Sequence, residues 1–242
     1  MDIFKDFETK YSPKTIDDIV YADNETKNRV QDLVSGAKPF PIANGKNGIL
    51  LYGIPGTGKS ALAKLLPDAM EQVRTGIANN SQMNYIRVQS GANGMTMLAR
   101  ISNQAQLVAL ASQHYFVLDE VDNLNDQAMN VLKSVMNISG SVFILTTNFF
   151  QKIEPGVRSR CHCIAFNAAP TSAWLPLAQR ILSDAEVSGV SYAQLLNVIA
   201  SGKGDARNIL DVIQNLVLNV YRKSPTASAP EIAATSTTTP SK

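Results

Sequence analysis

Four residues of apolar character, Ile49-Leu50-Leu51-Tyr52, run straight into Gly53-Ile54-Pro55-Gly56-Thr57-Gly58-Lys59-Ser60, and residues 59–73 then carry apolar side chains at helical spacing. A strand that turns through three glycines into a helix opening on Lys-Ser satisfies the spacing G-x-x-x-x-G-K-[ST] in the context that gives it meaning. The glycines let successive backbone N–H groups converge on phosphate oxygens, and the helix N-terminus adds a favourable dipole. Lys59 then reaches the β- and γ-phosphates, and Ser60 offers a hydroxyl to Mg²⁺. A glycine-rich turn matching by chance would not have both strand and helix in place. The segment predicts a nucleotide-binding site at the edge of a parallel sheet.

The rest of the chain fits that frame. Residues 49–52, 85–88, 115–118, 142–146 and 162–166 read as strands, several apolar at nearly every position, as parallel strands covered on both faces must be. Residues 59–73, 95–111 and 126–137 read as the crossover helices. After Pro170 the strand pattern stops, and 171–187, 191–200 and 205–221 read as three helices with N-caps at Thr171, Ser191 and Asp205. The expectation is an α/β domain over residues 1–168, a small all-helical domain over 169–223, and a disordered tail over 224–242 made mostly of Ser, Thr, Ala and Pro. There is no internal repeat.

Composition narrows the partners. With 45% hydrophobic residues in 242 there is ample material for a core, and a net charge of +2 is too small to hold nucleic acid by bulk electrostatics, so any such grip is local or shared between subunits. The only cysteines, Cys161 and Cys163, are too close to close a long loop, and the start Met1-Asp2-Ile3-Phe4-Lys5 lacks the layout of a signal peptide. A reducing, cytoplasmic setting is expected, and no apolar run is long enough to span a membrane.

Further candidates lie at strand ends. Phe116-Val117-Leu118-Asp119-Glu120 closes an apolar strand with two carboxylates at the edge where the phosphates would sit. Asp119 suits magnesium through water, and Glu120 suits the orientation and polarisation of an attacking water. Thr147-Asn148 ends another strand at that edge, although Asn148 on its own reads as a turn former. Cys161-His162-Cys163 offers three adjacent positions that alternate between strand faces, so buried cysteines are the expected reading rather than a metal site. His114, just before a strand, reads as a cap or core residue.

In this order the pieces resemble the AAA+ ATPases, and in detail the clamp-loader subunits of the replication-factor-C small-subunit type, including phage versions. The resemblance runs from about Glu8 to about Tyr221, and its most specific parts are the segment from Lys10-Tyr11-Ser12-Pro13 through Asp17-Asp18-Ile19-Val20, the phosphate loop, Leu118-Asp119-Glu120-Val121-Asp122, Thr147-Asn148, Arg158-Ser159-Arg160-Cys161 and Gly204-Asp205-Ala206-Arg207-Asn208. It implies ATP and Mg²⁺ as cofactors, with Ser60 and Asp119 holding the metal. Ile16, Val20 and Ala61 join residues 53–60 in the nucleotide-binding set. Asn148 resembles sensor 1, Arg160 resembles an arginine finger entering a neighbouring subunit's site, and Arg207 resembles sensor 2.

The resemblance also implies partners: neighbouring AAA+ subunits, five in a ring, a sliding clamp, and primer-template DNA at a replication site, in a host cytoplasm if the chain is phage-encoded. Arg100 and Lys133 are the DNA candidates, Lys133 standing where the family links DNA contact to Glu120; a solvated helix face is the plain reading of Arg100. The sequence departs from the family at Ser12, where Arg is usual, and at Asn137, where an acid is usual. The helical pattern also stops near Tyr221, before any collar domain, which puts assembly through a collar in question. A hexameric helicase loader or remodeller, and a scaffold subunit that binds ATP with little turnover, are the alternatives; Glu120 speaks against the scaffold.

Overall fold

The computed structural model describes residues 6–42, 45–91 and 93–223. The tail expected over 224–242 lies outside the described residues. Five strands, β1 (Gly48–Tyr52), β2 (Asn84–Arg87), β3 (His114–Asp119), β4 (Ser141–Thr147) and β5 (Cys161–Ala165), form one sheet in the order β2-β3-β4-β1-β5. Every pairing is parallel.

Strict alternation sorts the strands' side chains between two cores. Leu50, Phe116, Leu118, Phe143 and Leu145 face α4 (Gly94–Ala105) and α5 (Asp126–Val135). Ile49, Leu51, Tyr115, Val117, Val142 and Ile144 face α2 (Asn24–Ser35) and α3 (Lys59–Thr75). A third core joins α7 (Leu175–Asp184), α8 (Tyr192–Ser201) and α9 (Ala206–Lys223), with Phe7 and Tyr11 of α1 (Phe7–Tyr11) packed into it although they precede the sheet in the chain. Tyr11 also donates its hydroxyl to Asp184 at 3.1 Å. Among the described residues no helix is long and apolar enough to cross a membrane.

The elements follow local chemistry, with two corrections. Ser191 and Gln194 form a reciprocal capping box at α8, and Asp205 Oδ1 accepts from the backbone N–H groups of Arg207 and Asn208 at the start of α9. Thr171 makes no capping bond: a 3-10 turn, Thr171–Trp174, follows Pro170 and buries Trp174 before α7 begins. The helix expected over 95–111 stops at Ala105. Beyond it His114 Nε2 engages the Leu107 carbonyl, while the buried Glu71 accepts from the Ser112 N–H and hydroxyl. These anchors hold the segment as a loop, and its apolar residues, which mimicked a helical stripe, face water: Leu107 is 68%, Val108 91% and Leu110 82% exposed.

Candidate functional site

The sheet register brings the strand ends together. Tyr52 is paired with Thr147, and Arg87 with Asp119, so the phosphate loop, the two carboxylates and Asn148 share one edge. The loop needs its glycines. Gly53 has φ 147°, and a Cβ there would lie 2.4 Å from the Phe166 carbonyl oxygen; at Gly56, φ 78°, a Cβ would lie 1.8 Å from Asp205 Oδ2. The second contact belongs to the helical core: the Ala206 N–H donates to the Gly56 carbonyl at 2.8 Å, seating the N-terminus of α9 on the loop.

A cavity of about 270 Å³ gathers loop residues 55–61 with Glu120, Asn148, Arg207, Ser12 and Pro13. Lys59, the first residue of α3, is buried and donates to the carbonyls of Gly53 at 3.0 Å and Ile54 at 2.5 Å. Burial pushes its pKa down to about 8 against the pull of Asp119 and Asp122. Its charge is therefore lost in mildly alkaline solution while no phosphate faces it. Nucleotide affinity should fall as pH rises past about 8, approaching tenfold per pH unit, because binding must then supply the missing proton. Affinity titrations from about pH 7 to about pH 9 check this, with Lys59→Ala expected to give a flat profile.

Asp119 accepts from Ser60 Oγ at 2.7 Å, Tyr85 OH at 2.9 Å and, closely, Thr146 Oγ1. Burial alone would raise its pKa, but these donors outweigh it and hold the carboxyl below its ordinary value. A hydroxyl and an ionised carboxylate in contact suit Mg²⁺, which takes few protein ligands and completes its shell with phosphates and waters.

Glu120 occupies the left-handed region at φ 61°, at a cost of about 1–2 kcal/mol for a non-glycine residue. Its N–H donates to Thr146 Oγ1 at 3.0 Å, so one hydroxyl fixes both acidic residues. Its carboxylate is held by Arg87, Nη2 to Oε1 at 2.7 Å and Nε to Oε2 at 3.2 Å, a two-point grip that opposes rotation. Sequence reading missed Arg87, Tyr85 and Thr146. The available signal was a cation among apolar neighbours at the end of a strand, although β2 is a half-buried edge strand and Arg87 itself stays exposed.

Other candidates fall elsewhere. Val20 lines an adjoining cavity of about 770 Å³ between the N-terminal segment and α7, sharing Ser12 and Pro13 with the first; Ile16 packs instead against the sheet core. Ser12 donates to the Glu8 carbonyl at 2.6 Å and extends no charge to the cavity. Arg160, which caps α6 (Pro155–Ser159), immediately precedes β5, whose Cys161 pairs with Gly48 at the start of β1. It thus lies at the opposite sheet edge, about 13 Å of strand from its own phosphate loop. There Arg160 Nε donates to Asn137 Oδ1 and Nη1 to the Gly156 carbonyl, each at 2.9 Å.

Arg100 is exposed on α4. Lys133 is not joined to Glu120: it pairs with Glu154 at 3.4 Å, and the residue on Glu120 is Arg87. No group of three or more His, Cys, Asp or Glu among the described residues could hold a metal ion. Cys161 packs into one sheet core, while His162 stacks edge-on with Phe40 at 5.5 Å and burial pushes its pKa down to about 4. His114 anchors a loop carbonyl, as a structural histidine would.

A family model described as ATPase family associated with various cellular activities (AAA) matches residues 49–167. Replication factor C small subunit 2 of Pyrobaculum islandicum is 29% identical over 210 residues, covering 85% of this chain and 61% of its own length. Replication factor C subunit 4 of Encephalitozoon cuniculi is 29% identical over 208 residues, covering 85% and 62%. The chain therefore spans about three fifths of the length of these relatives. Solved structures of Thermotoga maritima RuvB share the fold, with TM-scores of 0.63 and 0.64 at 16–17% identity, covering 88% of this chain and 72% of theirs. Over residues 49–167 the chain matches the AAA family of ATPases, and over 85% of its length it is similar to replication factor C small subunits.

Proposed function

We propose that this chain is an ATP-hydrolysing clamp-loader subunit that acts with neighbouring AAA+ subunits to open a sliding clamp and load it at primer-template junctions. One observation carries the reading: the phosphate loop, Glu120, Asn148 and Arg207 line one cavity, while Arg160 lies at the far edge of the sheet. Such a site is completed by a neighbour's arginine. The similarity to proteins named replication factor C supports a role in replication, and we divide the chain at about residue 168 into a nucleotide-binding domain and a helical lid.

In this reading residues 53–61 cradle the phosphates, the N-terminal segment with Val20 meets the base and ribose side, and Arg207 reaches the γ-phosphate from α9. Ser60 and Asp119 would hold Mg²⁺, which when bound neutralises charge developing on the transferred phosphoryl group. Glu120 orients and polarises the attacking water, helped by Asn148. Because the Glu120 carboxylate is engaged by Arg87, it must leave that ion pair to do so. Arg87 is 63% exposed, open to capture by a DNA phosphate. Arg100 and Lys133 are further phosphate contacts. Arg87→Ala should raise hydrolysis severalfold without DNA and shrink the stimulation DNA gives. Steady-state phosphate release with and without primer-template measures both; an unchanged ratio removes the restraint from the mechanism.

The loop bearing Leu107, Val108 and Leu110 supplies the clamp surface: three exposed large apolar side chains within four residues, braced by Glu71 and His114, mark a protein contact. Native mass with a non-hydrolysable ATP analogue and primer-template DNA tests the whole reading. Five subunits per assembly are expected, retaining a clamp that Leu107→Ser/Val108→Ser releases; six subunits without a clamp would favour a remodeller.

A further inference from the structure

The short helix α6, which ends on Arg160, is braced at both ends by α5 and the turn that follows it. At the start of α6, Glu154 Oε2 accepts from the Val157 N–H at 3.0 Å, while Glu154 Oε1 pairs with Lys133 of α5 at 3.4 Å. At its end, Arg160 Nε donates to Asn137 Oδ1 at 2.9 Å. Asn137 stands one helical turn beyond Lys133 and closes α5 by donating its N–H to the Ser134 carbonyl at 3.1 Å. Two side chains one turn apart therefore splint the whole of α6.

Neither end of the Arg160–Asn137 bond is free to drift. The Arg160 carbonyl accepts from the N–H groups of Asn47 at 3.2 Å and Gly48 at 3.0 Å. Asn47, only 7% exposed, also donates its side-chain amide to the carbonyls of Met136 and Ser141, and its own carbonyl accepts from the Phe143 N–H at 2.9 Å. One buried residue thus ties the backbone of Arg160 to the backbone beside Asn137. The guanidinium is held at a second point, Nη1 donating to the Gly156 carbonyl at 2.9 Å. Among the described residues Nη2 makes no hydrogen bond, which leaves it for an oxygen outside the subunit. A free arginine side chain would lose its rotamer freedom on reaching across a subunit joint, and an ångström of misplacement costs about a hundredfold in rate.

We propose that Asn137 is a positioning residue for hydrolysis in the neighbouring site: it fixes the Arg160 guanidinium, before the subunits meet, in the pose from which Nη2 reaches the transferred phosphoryl group. The inference rests on the reading of Arg160 as the residue that completes a neighbour's site. Asn137 acts only through Arg160, since both stand at the sheet edge opposite their own phosphate loop.

The test compares ATP hydrolysis by assemblies of the full chain carrying Asn137→Ala, Asn137→Asp, Arg160→Ala, or Asn137→Ala with Arg160→Ala, native mass recording assembly in each. Asn137→Ala should lower kcat about tenfold and leave KM and ATP affinity unchanged. Asn137→Asp keeps an oxygen acceptor in the same place and should stay within about threefold of the parent. The double variant should be no slower than Arg160→Ala, because Asn137 then has nothing to hold. Parental turnover in Asn137→Ala beside a crippled Arg160→Ala would overturn the proposal and leave the arginine finger standing. A raised KM, lost assembly, a defect in Asn137→Asp equal to that of Asn137→Ala, or a further loss in the double variant would also overturn it, assigning Asn137 to the subunit joint instead. Full turnover in Arg160→Ala would remove the finger and the proposal together.

Discussion

Arg160→Ala leaves each subunit's ATP affinity unchanged and lowers hydrolysis in the assembly about a thousandfold or more. The geometry separates the two effects. Arg160 precedes the strand residue paired with Gly48, whereas the phosphate loop follows Tyr52 at the other end of the same strand. A side chain at one edge cannot reach its own nucleotide at the other, so removing it takes nothing from binding within the subunit. In the proposed assembly, what is lost is positive charge at a neighbour's phosphoryl group, where it would stabilise the transition state more than the ground state. Folding should be unaffected, since the lost contacts are hydrogen bonds to Asn137 and to the Gly156 carbonyl rather than a buried ion pair. Mixing experiments make the result sharper: an Arg160→Ala subunit beside a Glu120→Gln subunit should recover turnover wherever an intact Arg160 faces an intact Glu120. Full activity of the assembled Arg160→Ala protein would end the arginine-finger assignment.

Lys59→Ala should lower ATP affinity by about two orders of magnitude while leaving the fold intact. Removing a cation that bonds to phosphate loses a charge-assisted hydrogen bond, worth about 1.5–3 kcal/mol and thus about tenfold to over a hundredfold in affinity. The folded chain loses little. Lys59 Nζ caps two carbonyls of its own loop, and burial already disfavours its charge, as its lowered pKa records. Isothermal titration with ATP and with ADP separates the γ-phosphate contribution, which should be the larger loss. Retained affinity for ATP would sink the phosphate-loop assignment, and with it the pH dependence expected of the parent protein.

Wherever chemistry is local in the chain, it was legible in advance. The phosphate loop, the strand-end carboxylates and the Ser191 and Asp205 caps depend on residues within a few positions of one another, so spacing alone predicts them. All five strands stand within one residue of their expected places; in β1, β3 and β4 burial on both faces demands continuous apolar runs, whereas the edge strand β2 is only half-buried. The same rule misled at residues 106–111, where apolar spacing continued a helix that two anchors, the distant Glu71 and the nearby His114, hold open as an exposed loop. Arg87 could be seen as an anomaly but not paired, because its partner lies 33 residues away.

By itself, then, the sequence determined a parallel α/β nucleotide site with a helical segment after it, since hydrophobic period and loop chemistry act over short stretches of chain. Only the tertiary structure decided that Glu120 is held by Arg87, that Thr146 steadies both acidic residues, that Arg160 faces away from its own site, and that Asn137 holds its guanidinium. Strand order and register set those relations, and they arise from packing among segments far apart in the chain, which no local pattern encodes.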